Sequence, residues 1–235
     1  MIKAIFFDFY NTLAHFYPTL DEIQKAVCQE LGIETTTSGI RAGYAVADDY
    51  MSYQNAQTPL NTMSKEDRNN FFQEYERLVL EGTGLNVTPQ LARQVWSIAS
   101  RVPKDFKLFD EVPQILKILK EFDMTVGVIS NLHQNMSDIH KKLGLDKYLD
   151  FTITSEEIGW EKPHPLIFEA ALKRAGVESG QAIHVGDQYI SDVLGAQKVG
   201  IKPILIDRGN FYPDIVDCKK IAALTELQYL VREIG

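Results

Sequence analysis

Long apolar runs are missing from this 235-residue sequence, and with them the usual means of crossing a bilayer. A membrane-spanning helix needs about 20 consecutive apolar residues. The apolar stretch near the N-terminus, Ile2 to Phe7, is far shorter and runs into an acid at Asp8. That acid stands where a secretory leader would carry small residues for cleavage, so neither leader nor anchor is expected. Cysteine is scarce: Cys28 and Cys218 are the only two. They form no metal-ligand spacing, and two reduced thiols are the plain expectation, with a disulfide left open. Positive charge is in deficit, 24 Lys and Arg against 32 Asp and Glu for a net −8. A nucleic-acid surface wants the opposite field. An anionic small molecule still fits, provided its site concentrates a metal ion, a lysine or backbone N–H groups. These absences leave a cytoplasmic protein with no nucleic-acid or membrane partner, and they say nothing of its oligomeric state.

What is present is an ordinary globular composition, 45% apolar and 24% charged, at a length that suits a core domain plus a smaller insert. Short apolar runs at Ile2–Phe7, Met124–Ser130, Phe151–Thr154, Ala182–Gly186 and Lys202–Asp207 predict buried strands. Helical patterns lie between them, over Val112–Phe122, Leu166–Ala175 and Asp192–Val199. A last helix, capped by Thr225, would carry Leu227, Leu230, Val231 and Ile234. Strands alternating with helices imply an α/β fold, a doubly wound parallel sheet with helices on both faces.

From about Ala14 to Pro103 that rhythm stops, and helix follows helix with no convincing strand. Thr19 and Glu22 form a capping-box signature. Ile40, Tyr44, Ala47 and Met51 share a helical face, Ser64 opens another helix, and Thr88-Pro89 starts a fourth. The expected division is a core of residues 1–14 plus 104–235 and an all-helical insert over 15–103. The hinges are expected at His15–Pro18 and Pro103–Leu108.

In an open parallel sheet, ligands bind beyond the carboxyl ends of the strands. The first predicted strand ends in Asp8, the second in Ser130-Asn131 and the fourth in Gly186-Asp187. Gly159-Trp160-Glu161-Lys162-Pro163 follows the third. A lone aspartate at a strand end is ordinarily a turn former or a helix cap. Four such ends in order converge on one crevice, which turn chemistry does not require.

The stretch DFYNTL, starting at Asp8, resembles the first motif of the haloacid dehalogenase superfamily, Asp-x-Asp-x-Thr or Val after an apolar strand. VISN, ending at Asn131, resembles the second motif. GWEKPHPLIFEAAL resembles the third, and HVGDQYISD the fourth, with Asp187 and Asp192 as its acids. The helical insert matches the cap that this family places between motifs one and two. The resemblance implies a hydrolase whose nucleophile is Asp8, acting through a covalent intermediate. It implies Mg²⁺ held by Asp8, the Tyr10 backbone carbonyl and Asp187. Lys162 would stabilise charge on the nucleophile and the transferred group. Ser130 or Thr12, with backbone N–H groups around Asn131, would bind phosphoryl oxygens. Asp192 would orient the metal's water shell or pair with Lys162.

One position departs from the family pattern. Family phosphatases carry a second aspartate, the general acid and base, where this chain has Tyr10. Such a group contributes roughly 10²–10⁴ in rate. Tyr there is the mark of the family's 2-haloacid dehalogenases, whose halide leaves without a proton and which use no metal. Arg41, on the insert beside Tyr44, would then bind a substrate carboxylate or halide, or it is simply an exposed charge. Gly186-Asp187 argues the other way, because those dehalogenases lack this metal-binding acid. Three readings follow. The first is an Mg²⁺-dependent hydrolase of a small phosphorylated metabolite, in which His15, His133 or a residue of the insert replaces the missing acid. The second is a metal-free dehalogenase. The third is a binding or regulatory protein with weak turnover. Metal chemistry ranks the phosphatase first, since Asp8, Asp187 and Asp192 form a costly acidic cluster unless a cation sits among them.

Overall fold

Short apolar runs become buried strands where helices cover both of their faces. The computed structural model, which describes residues 1–229, shows where this happens. In chain order the elements begin with β1 (Ala4–Phe7), β2 (Ala14–Tyr17), α1 (Leu20–Glu30), α2 (Thr37–Gln57), α3 (Lys65–Glu81) and α4 (Pro89–Ala99). There follow β3 (Asp105–Leu108), α5 (Val112–Glu121), β4 (Thr125–Ser130), α6 (Met136–Leu143), β5 (Phe151–Thr154), α7 (Ser155–Ile158) and α8 (Pro165–Ala175). The chain continues through β6 (Ala182–Gly186), a π-helical turn (Tyr189–Leu194), α9 (Gly195–Lys198), β7 (Lys202–Ile206) and β8 (Lys219–Ile221). Among the described residues, no helix is long and apolar enough to cross a membrane.

Two compact units result, Met1–His15 with Phe106–Gly235, and Phe16–Asp105. The first is built on a six-stranded sheet in the order β5-β4-β1-β6-β7-β8, and every pairing in it is parallel. Strand side chains alternate between faces, and the core divides accordingly. Ile5, Phe7, Val126, Val128, Ile183 and Val185 pack with Ile115, Leu116 and Leu119 of α5. Ala4, Phe6, Ile129, Ile153 and Ala182 pack with Ile167, Phe168 and Ala171 of α8. β1 sits between β4 and β6, so the strand order reverses at β1, the position where such sheets hold their ligands.

The second unit is helical, and hydroxyl caps start its helices. Thr19 and Glu22 close the expected capping box on α1, each side chain meeting the other's backbone N–H. Ser64 Oγ accepts from the Asp67 N–H at 3.1 Å, and Thr88 Oγ1 from the Leu91 N–H at 3.3 Å. α2 and α3 touch backbone to backbone: a Cβ on Gly43 would lie 2.1 Å from the Val79 carbonyl oxygen. Inside this unit Glu76 and Gln24 are buried and hydrogen-bonded to each other, and Tyr44 donates to Gln24 Oε1 at 3.2 Å.

Burial pushes the Glu76 carboxyl up to about 8, above the range of an unfolded chain. Folding therefore favours the protonated acid. That contribution is complete below about pH 4.3 and is lost as the pH rises through about 8. Glu76→Gln, which keeps an acceptor for Gln24 and carries no charge, is expected to melt near wild type at pH 5. At pH 8.5 it should melt roughly 5 °C above wild type. Parallel melting curves at both pH values would show that Glu76 is already ionised in the fold.

Three sequence expectations need correction, and two elements were not expected. Ala14–Tyr17, in a stretch expected to hold no strand, pairs with Asp105–Leu108, and the two strands overlap the expected hinges. β8 and α6 carry too few buried apolar residues to stand out. The predicted helix over Asp192–Val199 begins instead with the π-helical turn, because Asp192 folds back into the sheet end. Thr225 does not cap the last helix but lies inside a 3₁₀ turn over Leu224–Glu226, where Glu226 accepts the Ala222 and Ala223 N–H groups; residues 227–229 are helical as expected. The expected Leu230, Val231 and Ile234 lie outside the described residues. Cys28 is buried, Cys218 half-buried, and both are free thiols.

Candidate active site

Asp8 is the first residue past β1, and its N–H still donates to the Val185 carbonyl of β6 at 2.8 Å. The sheet thus fixes the aspartate backbone before any side chain acts. Lys162, from the loop between α7 and α8, brings its ammonium to Asp8 Oδ1 at 2.6 Å and to Asp192 Oδ1 at 2.6 Å. Lys162 is 2% exposed, Asp192 1% and Asp8 8%, so one buried cation is shared by two buried carboxylates. Burial disfavours charge on all three. For Asp8 burial wins, pushing its carboxyl up to about 6 against the pull of Lys162. For Asp192 burial is outweighed by Lys162 and His184, and its carboxyl falls below the usual range. For Lys162 burial is likewise outweighed, by Asp192 and then Asp8, and its ammonium is held above the usual lysine range.

Asp192 is gripped from three sides. Besides Lys162, it meets His184 Nε2 at 2.9 Å, and its Oδ2 accepts the Gln188 N–H at 3.0 Å. The π-helical turn brings the carboxylate back over β6, where only glycine leaves room. A Cβ on Gly186 would lie 2.1 Å from Asp192 Cγ. His184 is fully buried in β6, edge-on to Phe168 at 5.2 Å, with its Nδ1 unpartnered. That pattern puts the proton on Nε2, and burial holds the ring neutral, below the ordinary histidine range. Sequence reading missed His184. The available signal was a histidine inside an otherwise apolar strand, since a buried polar group must find a partner.

The second and third motifs lock together. Asn131 Oδ1 accepts the Lys162 N–H at 2.8 Å, and Asn131 Nδ2 donates to the Lys162 carbonyl at 3.0 Å. Asn131 therefore holds the lysine backbone as well as standing at the end of β4. Ser130 Oγ is buried and accepts the Leu132 N–H at 3.2 Å. Thr12 is fully buried and its Oγ1 has no hydrogen-bond partner among the described residues. Tyr10 is half-buried in the turn after Asp8, bridged to Ala14. Ligand atoms of Asp8, Asp187 and Asp192 lie within 4.8 Å of one another, an all-oxygen set.

Three further residues singled out by sequence have partners outside the Asp8 cluster. Arg41 belongs to the helical unit and is paired there with Asp21 at 2.7 Å. His133 meets the buried Glu161 at 3.0 Å, next to Lys162 in sequence, and His15 packs on Phe109 with ring centroids 4.9 Å apart. Trp160 stacks on His164 at 3.9 Å, and His164 caps α8 through the Leu166 N–H.

The family model for haloacid dehalogenase-like hydrolases matches residues 2–200. The chain is 36% identical to haloacid dehalogenase-like hydrolase domain-containing protein 3 of Mus musculus over 49% of this chain and 48% of that protein. It thus spans about half the length of that curated relative. It is 30% identical to glyceraldehyde 3-phosphate phosphatase of Methanopyrus kandleri over 100% of this chain and 99% of that protein. Among solved structures, an L-2-haloacid dehalogenase superposes with a TM-score of 0.66 over 98% of this chain and 99% of its own, at 18% identity. That likeness is one of fold.

Proposed function

The chain belongs to the haloacid dehalogenase-like hydrolases, and from that premise we propose that it hydrolyses the phosphate monoester of a small anionic metabolite through an aspartyl intermediate on Asp8. The observation that carries this reading is the convergence of Asp187 on the Asp8–Lys162–Asp192 cluster. Three carboxylates gathered around one lysine carry net negative charge, which a bound cation would offset. The donors are hard oxygens, which suit Mg²⁺. Both Asp192 oxygens are engaged by protein groups. Asp8 and Asp187 are therefore left to hold the ion, together with the Tyr10 carbonyl that the family resemblance implies, and Asp192 holds Lys162. When bound, Mg²⁺ offsets the repulsion between the substrate dianion and Asp8.

In the first step an Asp8 oxygen attacks phosphorus, and the ester oxygen departs with its electron pair and takes up a proton. Water then attacks the aspartyl phosphate, releasing phosphate and restoring the Asp8 carboxylate. Lys162 neutralises charge on Asp8 and on the transferred group. Ser130, the buried Thr12 hydroxyl and the N–H groups around Asn131 orient the phosphoryl oxygens. Tyr10 supplies no carboxyl for the leaving oxygen, so another group gives that proton. The compartment is taken to be the cytoplasm.

Tyr10 also favours a second reading, displacement of halide from a 2-haloacid by Asp8 with no metal. That the M. kandleri relative is named a phosphatase supports the first reading. Phosphorylated metabolites, an aryl phosphate and short haloacids, each tested with Mg²⁺ and with EDTA, separate the two. Phosphate release lost in EDTA is expected. Asp187→Asn should weaken Mg²⁺ binding by at least roughly tenfold in calorimetry. Halide release that is indifferent to EDTA would sink the phosphatase reading.

A further inference from the structure

The turn that follows the nucleophile reverses the chain within a few residues. Asn11 takes a left-handed backbone there, with φ of 59°, a region asparagine tolerates. Its N–H donates to the Ala14 carbonyl at 2.7 Å, and the N–H groups of Leu13 and Ala14 both donate to the Phe9 carbonyl at 2.9 Å. The Leu13 carbonyl accepts the Phe109 N–H at 3.1 Å. The carbonyls of Asn11 and Thr12 go to a side chain that arrives from the far end of the unit. Arg208 Nη2 donates to the Thr12 oxygen at 3.1 Å, and Nε to the Asn11 oxygen at 3.4 Å. Its remaining arm, Nη1, donates to Glu111 Oε1 at 2.7 Å, and the guanidinium lies 3.7 Å from the centre of the Phe109 ring.

We propose that Arg208 is a positioning residue for the reaction: its guanidinium clamps the Asn11–Thr12 backbone, and so fixes the aim of the Asp8 carboxylate and of the Tyr10 carbonyl just upstream. The inference rests on the role given to Asp8 under the proposed function. Its physical basis is the planar fork. Two donors of a rigid guanidinium hold two consecutive carbonyls, while Glu111 and the Phe109 face fix the plane itself. Lysine, a point charge on a flexible stem, would satisfy Glu111 but would not grip both carbonyls. Errors of about 1 Å at a reacting centre cost up to roughly 100-fold in rate. Loss of an outer support costs roughly 10–100-fold in metal affinity.

The test compares Arg208→Met and Arg208→Lys with wild type by amide exchange of the peptide over residues 9–14, by Mg²⁺ calorimetry and by kcat and KM. In metal-free Arg208→Met, exchange over 9–14 is expected to rise at least about tenfold while that of β4 stays at wild-type rates. kcat should fall more than KM changes, and Mg²⁺ affinity should fall about tenfold. Arg208→Lys should restore thermal stability but only part of the protection and the rate. Should Arg208→Met fail to fold, the lysine variant carries the same exchange measurement. Wild-type exchange over residues 9–14 in either folded variant overturns the clamp, whether or not the protein binds Mg²⁺. A wild-type protein that binds no Mg²⁺ overturns the metal reading instead, and the exchange result still decides the role of Arg208.

Discussion

Asp8→Asn is expected to abolish turnover and leave the fold as stable as before, or more so. The amide has no oxygen that can carry a transferred group. The expected loss is on the order of 10⁴-fold or more, the scale seen when a nucleophile is removed from a working site. Stability should move the other way. Asp8 is a buried carboxylate that competes with Asp192 for one ammonium, and its burial outweighs that ammonium's help. The amide removes the buried charge and leaves Lys162 to Asp192 alone. In EDTA the urea midpoint of Asp8→Asn should equal or exceed that of wild type, as when function holds a site in a strained electrostatic state. Residual turnover within roughly 100-fold of wild type would mean that another group is the nucleophile.

Lys162→Met is expected to damage activity and fold together. Methionine keeps the apolar stem but leaves Asp8 and Asp192 buried with no counter-ion from the third motif. Breaking a buried ion pair from one side costs about 3–5 kcal/mol. The two carboxylates raise the lysine above its ordinary range. Its stabilisation is therefore complete below the unfolded value of about 10.4 and is lost only as the pH rises past the higher folded one. The deficit of Lys162→Met should accordingly be the same at pH 7 as at pH 9. Adding Asp8→Asn to it should return about 1 kcal/mol or more, because the two residues share one network. Urea denaturation of both single variants and the double variant measures this. A Lys162→Met protein that unfolds with wild type would show that the ammonium is no counter-ion.

The strands at the centre of the sheet were legible because burial on two faces leaves near-continuous apolar runs such as AIFF and TVGVIS. The helix starts were legible because Thr19, Ser64 and Thr88 act locally, within one turn. β2 and β3 were not, because each is stabilised by the other across some ninety intervening residues. At the site, the acids and the lysine could be named from their order along the chain. Their mutual geometry could not: the pairing of Asp192 with Lys162 was only one of two options. His184 left a faint signal, a polar residue in an apolar strand. Arg208 left none, since its partners are backbone carbonyls and any residue supplies those.

The place of β1 in the middle of the sheet also governs how the chain is made. Ala4 has its partners at Thr125 and Ala182, so the strand that carries the nucleophile leaves the ribosome long before either neighbour exists. At translation speeds of about 5–20 residues per second, it waits on the order of ten seconds for β4 alone. In that interval the helices of Phe16–Asp105, whose contacts lie mostly between successive elements, have time to fold. The nascent protein therefore carries an Ile-Phe-Phe segment without its sheet partners through that interval, an unpaired edge open to aggregation.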